Sequence, residues 1–360
     1  MTMKRNILIS ILVTLFPFSS IIAGEFNKNQ IRDLALIYQG GIKRIDWTQE
    51  QFIPYVTHTF ANGKTEWLFD GFLFLDFNNG DSTTYVPQWG AKKGTKSDWE
   101  WYLNRLFEKG KSLDALDACI TAQKKKIGKP GFQHKIVLTL PTPLTGAEWG
   151  DLDGIKLDFE SLEDQTKACV WFMNELVRRF KEANYKNLEL TGLYWVDEDM
   201  WHTRDVTKLI APYVHELGLE FVWIPYYKAR GYDCWKELGF DIAYHQPNHF
   251  FKMTVSDSQL DEACTVAKDL GMAMEFECDK NAMFHAPNSL YGRMQSYIDA
   301  FIKHKVFETS AIAYYTGSHY FLDVYENPTP EDQYILDELC RFIVKRRANK
   351  KLIPSKKCTN

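Results

Sequence analysis

The chain has 360 residues, of which 45% are hydrophobic and 25% are charged, and its formal net charge is -4 at pH 7. A balance this close to zero gives no electrostatic reason to expect nucleic acid or an anionic membrane as a partner. Aromatic residues make up 15% of the chain, including 11 tryptophans and 18 tyrosines, and this content suggests that some rings face a ligand.

The first 23 residues have the pattern of a secretory signal peptide. Lys4 and Arg5 precede an apolar stretch over residues 7–18, and Ala23 offers a small residue at the cleavage point. The stretch is too short to span a bilayer comfortably, and no cysteine follows it that could carry a lipid. We therefore expect a periplasmic or secreted protein without stable membrane insertion. The alternative is a buried N-terminal helix of a cytoplasmic protein.

Eight strand patterns follow, each a short apolar, β-branched or aromatic run, and helical patterns separate them. This alternation predicts a parallel sheet, and eight units in a chain of this size favour one closed (β/α)8 barrel, an α/β TIM-barrel fold. The predicted strands cover residues 33–38, 67–77, 135–140, 188–197, 219–225, 241–246, 272–278 and 311–316. The predicted helices cover residues 50–60, 97–109, 113–126, 163–183, 204–217, 232–238, 257–270, 290–304 and 331–347.

We expect one barrel domain over residues 24–347 and a basic tail over residues 348–360. Long connections over residues 78–97 and 141–162 follow the second and third strands, which places them on the catalytic face of a barrel. The seven cysteines are scattered, which argues against a zinc ribbon or a dense disulfide scaffold and leaves one or two disulfides open. We expect a monomer.

The seventh predicted strand carries two glutamates on one face. Met274, Phe276 and Cys278 alternate with Glu275 and Glu277, and barrel strands bury their apolar outer face against helices, so both acids are predicted to point inward. A buried charge needs either a partner or a chemical role. We expect Glu277, nearer the opening, to be the nucleophile and Glu275 to orient it. A structural ion pair is the alternative.

The fourth predicted strand ends in Asp197, Glu198 and Asp199. One of these acids faces the opening whichever alternation holds, and we expect Glu198, or else Asp197, to be the general acid/base. The alternative is an acidic cluster that favours the N-terminus of the next helix. Carboxyls at the ends of the fourth and seventh strands face each other across a barrel opening, which is the pair that glycoside hydrolysis requires.

Polar and aromatic side chains also stand at the other strand ends, where a barrel builds its site. Asp76 is predicted to point inward from its alternation with Phe72 and Phe74, and flat rings with polar edges suit sugars. We expect these residues to bind the substrate: Asp76, Trp195, Trp223, Tyr227, Gln246, Asn248, Tyr315 and, on the first long loop, Trp89.

Motifs of other enzyme classes are missing from the sequence. It contains no GxSxG turn, no HExxH helix and no P-loop, and its nine histidines are dispersed. We therefore expect neither a catalytic metal nor a cofactor, and a carbohydrate as the partner.

Four segments resemble the DUF4855 family of secreted Bacteroidetes proteins. They are residues 149–152 (WGDL), 157–159 (LDF), 187–195 (NLELTGLYW) and 274–277 (MEFE). The resemblance implies an exported protein associated with polysaccharide use and supplies no settled activity. More broadly, the chain resembles the (β/α)8 glycoside hydrolases with an acid/base after strand four and a nucleophile on strand seven, although Asp197 stands where that group usually has Asn.

The preferred hypothesis is therefore a glycoside hydrolase acting on a poly- or oligosaccharide. The alternative is a non-catalytic glycan-binding barrel, in which the aromatic rings bind and the acids only form hydrogen bonds. A third hypothesis is a barrel enzyme of another class, such as a lyase, with Tyr315, His245 or His319 at its centre.

Overall fold

The structure is a computed structural model that describes residues 31–39, 44–79, 83–87, 92–317 and 319–348. The predicted signal peptide lies outside the described residues, as do Trp89 and nearly all of the predicted C-terminal tail.

Eight parallel strands form a closed barrel in which each strand pairs with its neighbours in chain order and the last pairs with the first. The predicted single (β/α)8 barrel is confirmed. The strands are β1 (Asp33–Tyr38), β2 (Gly71–Leu75), β3 (His134–Leu140), β4 (Leu188–Trp195), β5 (Glu220–Trp223), β6 (Ile242–His245), β7 (Ala273–Cys278) and β8 (Ile312–Thr316).

Helices surround the strands and bury their apolar faces against them. In the longest, the Ser161 side chain accepts the backbone N–H of Asp164 at the start, and Asn184 ends the helix in a left-handed conformation. The helices are α1 (Ile53–Val56), α2 (Lys96–Leu106), α3 (Ser112–Ile127), α4 (Leu162–Ala183), α5 (Arg204–Glu216), α6 (Ser258–Leu270), α7 (Tyr291–Lys303), α8 (Val306–Thr309), α9 (Tyr320–Glu326) and α10 (Pro330–Ala348), with 3-10 helices at Tyr232–Leu238 and Lys280–Ala282.

The register of the strands determines which side chains point into the barrel. Phe276 of β7 packs against Tyr297 and Phe301 of α7, so its neighbours Glu275 and Glu277 point inward. Residues paired across parallel strands share a face, and the pairing can be followed around the closed ladder. The inward residues nearest the C-terminal ends are Tyr38, Leu75, Thr139, Tyr194, Val222, Tyr244, Glu277 and Tyr315.

The helix predicted over residues 50–60 is wrong. Only the single turn of α1 forms there, and an antiparallel hairpin of Thr57–Thr59 with Thr65–Trp67 follows it. The hairpin turn contains Asn62 and Gly63, and Gly63 adopts a φ of +81° that favours glycine. Because Trp67 belongs to this hairpin, β2 is shorter than the predicted second strand.

Both long connections leave the C-terminal ends of their strands, as the sequence predicted. Two short strands, Thr83–Thr84 and Lys92–Lys93, pair between β2 and α2. A hairpin of Asp151–Leu152 with Ile155–Lys156 lies between β3 and α4. Within the described ranges, no helix combines the length and the apolar character that crossing a membrane requires.

Hydrogen-bonded ion pairs lie at the N-terminal end of the barrel. Asp33, the first residue of β1, accepts hydrogen bonds from Nη1 of Arg346 at 2.7 Å and from the hydroxyl of Tyr314 at 2.8 Å. The Asp70 carboxylate accepts the backbone N–H groups of Arg32 and Asp33. Because Arg346 belongs to α10, this network joins the last helix to the first strand.

Candidate active site

Three glutamates lie together at the C-terminal opening of the barrel. Glu275 and Glu277 are inward residues of β7 and are 2% and 1% exposed. Glu198 follows β4 by three residues and is half-buried. Burial raises the pKa of Glu275 well above its usual value, and the nearby charges of Glu277 and Glu198 raise it further. These interactions show that the acids predicted at the ends of strands four and seven lie close together.

Glu277 is held by several hydrogen-bond donors. The hydroxyl of Tyr297 on α7 and the backbone N–H of His249, at 3.1 Å, donate to its Oε2 atom. The side-chain amide of Asn248 lies 3.4 Å from its Oε1 atom. Burial raises the pKa of Glu277, and these hydrogen bonds act in the opposite direction because they stabilise the ionised form. The carboxylate is thus fixed in position from two sides.

The structure separates the two candidate acids that follow β4. Asp197 is buried and accepts hydrogen bonds from the Thr203 hydroxyl at 2.8 Å and from the backbone N–H of Asp199 at 3.3 Å, so it organises its own loop. Glu198 instead interacts electrostatically with Glu277. Burial raises the pKa of Glu198 to about 7, while a hydrogen bond with Gln246 lowers it. Glu198 is therefore the member of this pair that joins the cluster.

No described residue forms an ion pair with the cluster, although the charge of Arg293 acts on Glu277. No lysine, arginine or histidine in the described part of the chain forms an ion pair with Glu198, Glu275 or Glu277. Burying like charges without a counter-ion favours the protonated forms. At neutral pH the cluster of three carboxyls is consequently partly protonated.

Tyrosine rings surround the acids. Tyr38 of β1 and Tyr194 of β4 point inward, and in both cases burial followed by nearby carboxylates raises the pKa of the phenol. Tyr315 lies edge-on to Tyr38 with ring centroids 5.6 Å apart and is half-buried at the opening. Tyr38 and the distant Tyr297 were missed as site residues. Tyr38 ends a strand, so the expectation that site residues stand at strand ends could have found it. Tyr297 lies on a helix, and nothing in the sequence pattern distinguishes it from a core residue.

Asp76 lies beyond the end of β2 and pairs with Arg44. Nε of Arg44 is 3.1 Å from its Oδ2 atom, and the guanidinium lies 4.4 Å from the Tyr38 ring centroid. The alternation used to predict its direction was wrong, because Phe74 packs against Phe52 outside the barrel. Asp76 reaches the neighbourhood of Tyr38 from the connection after the strand.

Trp195, Trp223 and Tyr227 do not line the opening, which corrects the sequence prediction. Trp195 and Trp223 are 0% exposed and belong to the outward set, where Trp223 stacks on Phe240 with centroids 5.1 Å apart. The hydroxyl of Tyr227 forms a hydrogen bond with Glu262 of α6. A strand-end aromatic residue can equally fill the space between strands and helices, and only the register decides between the two.

Gln246 and Asn248 connect the acids to one another. Nε2 of Gln246 donates to the carbonyl of Ile224 at 2.9 Å, and its Oε1 accepts from Asn248 at 3.1 Å. Since Gln246 contacts Glu198 and Asn248 contacts Glu277, the two amides form a bridge along this side of the opening.

The histidines considered for another class of enzyme do not meet Tyr315 at the barrel opening. His245 is an outward residue, stacked on Tyr232 with centroids 5.7 Å apart, and burial lowers its pKa to about 4. His319 pairs with Asp323 at 2.9 Å at the start of α9. The arrangement therefore gives no support to the lyase hypothesis.

Two grooves on the outside of the barrel, of about 690 and 620 Å³, lie beside α4 and α5 and contain none of the three carboxyls. The larger is lined by Trp171 and Tyr213, and the smaller by Phe180 and Leu217. They lie on the helical surface, away from the opening that holds the buried acids.

The chain belongs to the DUF4855 family, because the model of that family, described as a domain of unknown function, matches residues 33–341. None of the curated proteins matches the chain. Among solved structures, it is similar to a protein from Bacteroides thetaiotaomicron VPI-5482 assigned as an alpha-L-fucosidase, with 12% identity, coverage of 92% of this chain and 99% of that one, and a TM-score of 0.45.

It is also similar to an endo-1,4-beta-xylanase from Caldicellulosiruptor owensensis, with 12% identity, coverage of 80% and 86%, and a TM-score of 0.41. A third similar structure is the alpha subunit of tryptophan synthase from Legionella pneumophila, with 9% identity, coverage of 89% and 94%, and a TM-score of 0.36. Because the identities and scores are low, the function proposed for this chain rests on its own site.

Proposed function

We propose that this member of the DUF4855 family is a glycoside hydrolase that cleaves a poly- or oligosaccharide at the C-terminal opening of its barrel. The observation that carries the proposal is the cluster of the buried Glu275 and Glu277 with the half-buried Glu198, which has no ion-pair partner among the described residues. Such a cluster destabilises the fold, and enzymes keep buried acids where protons are transferred. Cleavage of a glycosidic bond needs one carboxyl to protonate the leaving oxygen and another to attack or to activate water.

Glu277 is the carboxylate that attacks the anomeric carbon or activates the water. The hydrogen bonds from Tyr297 and from the backbone N–H of His249 stabilise its ionised form. They also hold the carboxylate in place before the substrate binds, so that little ordering remains to be done during the reaction.

Glu198 is the proton donor to the leaving oxygen. Burial raises its pKa to about 7, and a carboxyl with a pKa near the working pH is an efficient general acid. Glu275 lies one layer deeper on the same strand face, where its high pKa keeps it protonated. A neutral Glu275 limits the negative charge beside Glu277, so it is a positioning residue in this mechanism.

The sugar binds above the acids, against residues of several connections. The half-buried Tyr315 ring offers a flat apolar face, and the amides of Gln246 and Asn248 offer donors and acceptors for hydroxyl groups. Asp76 is 0% exposed and bound to Arg44, so it supports the wall of the opening and does not contact the sugar.

The test is a product-release assay on a panel of plant, algal and host glycans with wild type, Glu277→Gln and a control, Glu182→Gln, whose side chain is exposed on α4. We expect wild type and control to release product, and Glu277→Gln to release it at least about 10³-fold more slowly while still binding the same glycan. Binding by all three proteins with product from none would favour a glycan-binding barrel. Equal product from all three would remove Glu277 from the mechanism.

A further inference from the structure

Trp201 differs from the other described tryptophans because most of its ring is exposed. Its exposed fraction is 62%, whereas the others are buried or half-buried. It lies on the connection after β4, three residues beyond Glu198. Three Cα–Cα steps of about 3.8 Å place its Cα within about 11 Å of that of Glu198. An exposed indole therefore lies on the same connection as the proposed proton donor.

The ring is held from behind by the next connection of the barrel. The guanidinium of Arg230, which follows β5, lies 3.6 Å from the ring centroid. Its Nε atom is 3.7 Å from Oδ2 of Asp199, and its carbonyl accepts the backbone N–H of Met200 at 3.1 Å. A cation stacked on one indole face fixes the orientation of the ring. The exposed fraction then belongs mainly to the opposite face.

The two connections approach too closely for this position to be a loose loop. A Cβ atom at Gly231 would lie 3.0 Å from the side chain of Met200, and Gly231 has a φ of +87°. The hydroxyl of Tyr226 donates to Asp199, which is itself buried. The packing beneath Trp201 thus rigidifies a ring that contributes little burial of its own, a pattern expected of a ligand contact.

We propose that Trp201 is a second sugar-binding position beside the carboxyl cluster, and that the substrate is an oligosaccharide chain extending past the cleaved bond toward β5. The inference rests on the proposed glycoside hydrolase function. A rigid aromatic face binds the C–H face of a sugar ring, so the contact requires no charge on the unit bound there. The binding energy gained from this remote unit contributes to the cleavage of long substrates and not of single-unit glycosides.

The experiment compares kcat/KM for a tetrasaccharide and for an aryl monosaccharide glycoside of the same sugar, using wild type, Trp201→Ala, Trp201→Phe and Tyr334→Ala. Tyr334 is a matched control because it is 64% exposed on α10. In parallel, affinity electrophoresis in gels that contain the polysaccharide measures binding by Glu277→Gln with and without Trp201→Ala. Thermal unfolding of each variant checks folding.

We expect Trp201→Ala to lower the ratio of the two kcat/KM values by about tenfold, mainly through KM for the tetrasaccharide, while Trp201→Phe retains most of it. The gel retardation of Glu277→Gln is expected to weaken by a similar factor when Trp201 is removed. Hydrolysis with the same ratio in Trp201→Ala as in Tyr334→Ala would overturn this binding position and leave the proposed function standing. If no glycan retards the protein and no glycan yields product, both the Trp201 binding position and the proposed function would be overturned.

Discussion

The two ends of the barrel both bury carboxyl groups but surround them differently. At the N-terminal end, Asp33 accepts hydrogen bonds from Arg346 and Tyr314. At the C-terminal end, Glu275 and Glu277 are buried as completely, yet no described residue forms an ion pair with them, although the charge of Arg293 acts on Glu277. The chain therefore uses the same chemical group as a structural tie at one end and as an unneutralised group at the other.

This difference separates residues that hold the fold from residues that carry chemistry. Removing one partner of a buried ion pair leaves an uncompensated charge and destabilises the protein, whereas removing an unpaired buried acid relieves repulsion. Stability and activity should consequently respond in opposite ways at the two ends, and each of the following changes tests that contrast.

The largest effect is expected for Glu198→Gln, which removes the proposed proton donor without changing the shape of the side chain. The kcat for an unactivated glycan should fall by about 10²–10⁴-fold. An aryl glycoside with an acidic phenol as the leaving group needs little protonation, so its hydrolysis should fall much less. Kinetics on both substrates measure the difference, and equal losses on both would contradict the assignment.

Arg346→Met should destabilise the protein by about 3 kcal/mol, because Asp33 would remain buried without its guanidinium. The kcat of the folded fraction should stay close to that of wild type. Urea denaturation and activity at low temperature measure the two quantities. Arg341→Met on the same helix, 62% exposed at the side chain, is the control and should change stability by less than about 0.5 kcal/mol. A loss of kcat without a loss of stability would reverse the contrast.

Glu275→Gln should stabilise the protein at high pH. The pKa of Glu275 is raised in the folded state, so the wild type binds more protons folded than unfolded and loses stability as pH rises above the unfolded pKa of 4.5. The variant should be more stable than wild type at pH 8 and equally stable at pH 4. Denaturation at the two pH values measures this, and a variant less stable than wild type at pH 8 would indicate a hidden partner.

The smallest effect concerns the pH dependence of the wild-type reaction. Because the pKa of Glu198 is about 7, kcat/KM should fall about tenfold per pH unit above that value as the acid loses its proton. The pH–rate profile with an unactivated glycan measures this limb. A rate that stays constant up to pH 9 would show that Glu198 is not the acid.

The barrel could be predicted from the sequence because its evidence is local. Apolar runs and helical spacing recur eight times, and the alternation along β7 alone indicated that Glu275 and Glu277 point inward. The hairpin at Thr57–Thr59 was missed because its turn at Asn62 and Gly63 interrupts a segment that otherwise reads as a helix.

The details of the site depended on contacts between distant residues. Alternation could not choose between Asp197 and Glu198, because a hydrogen bond from Thr203 turns Asp197 into its loop. The outward positions of Trp195 and Trp223 follow from pairing along a closed ladder, which no single strand reveals. The same limitation applies to Tyr297, which reaches Glu277 from α7.

The most direct measurement is a carbon-13 NMR titration of the glutamate side-chain carboxyls in wild type, Glu198→Gln and Glu277→Gln. The account predicts several carboxyls that titrate well above pH 4.5, including those of Glu198 and Glu277 at about pH 7. One of these two disappears in each variant, and the remaining carboxyls shift. If every glutamate carboxyl titrated below about pH 5, the acids at the C-terminal opening would be ionised and stabilised by neighbouring groups, and the central claim would be contradicted.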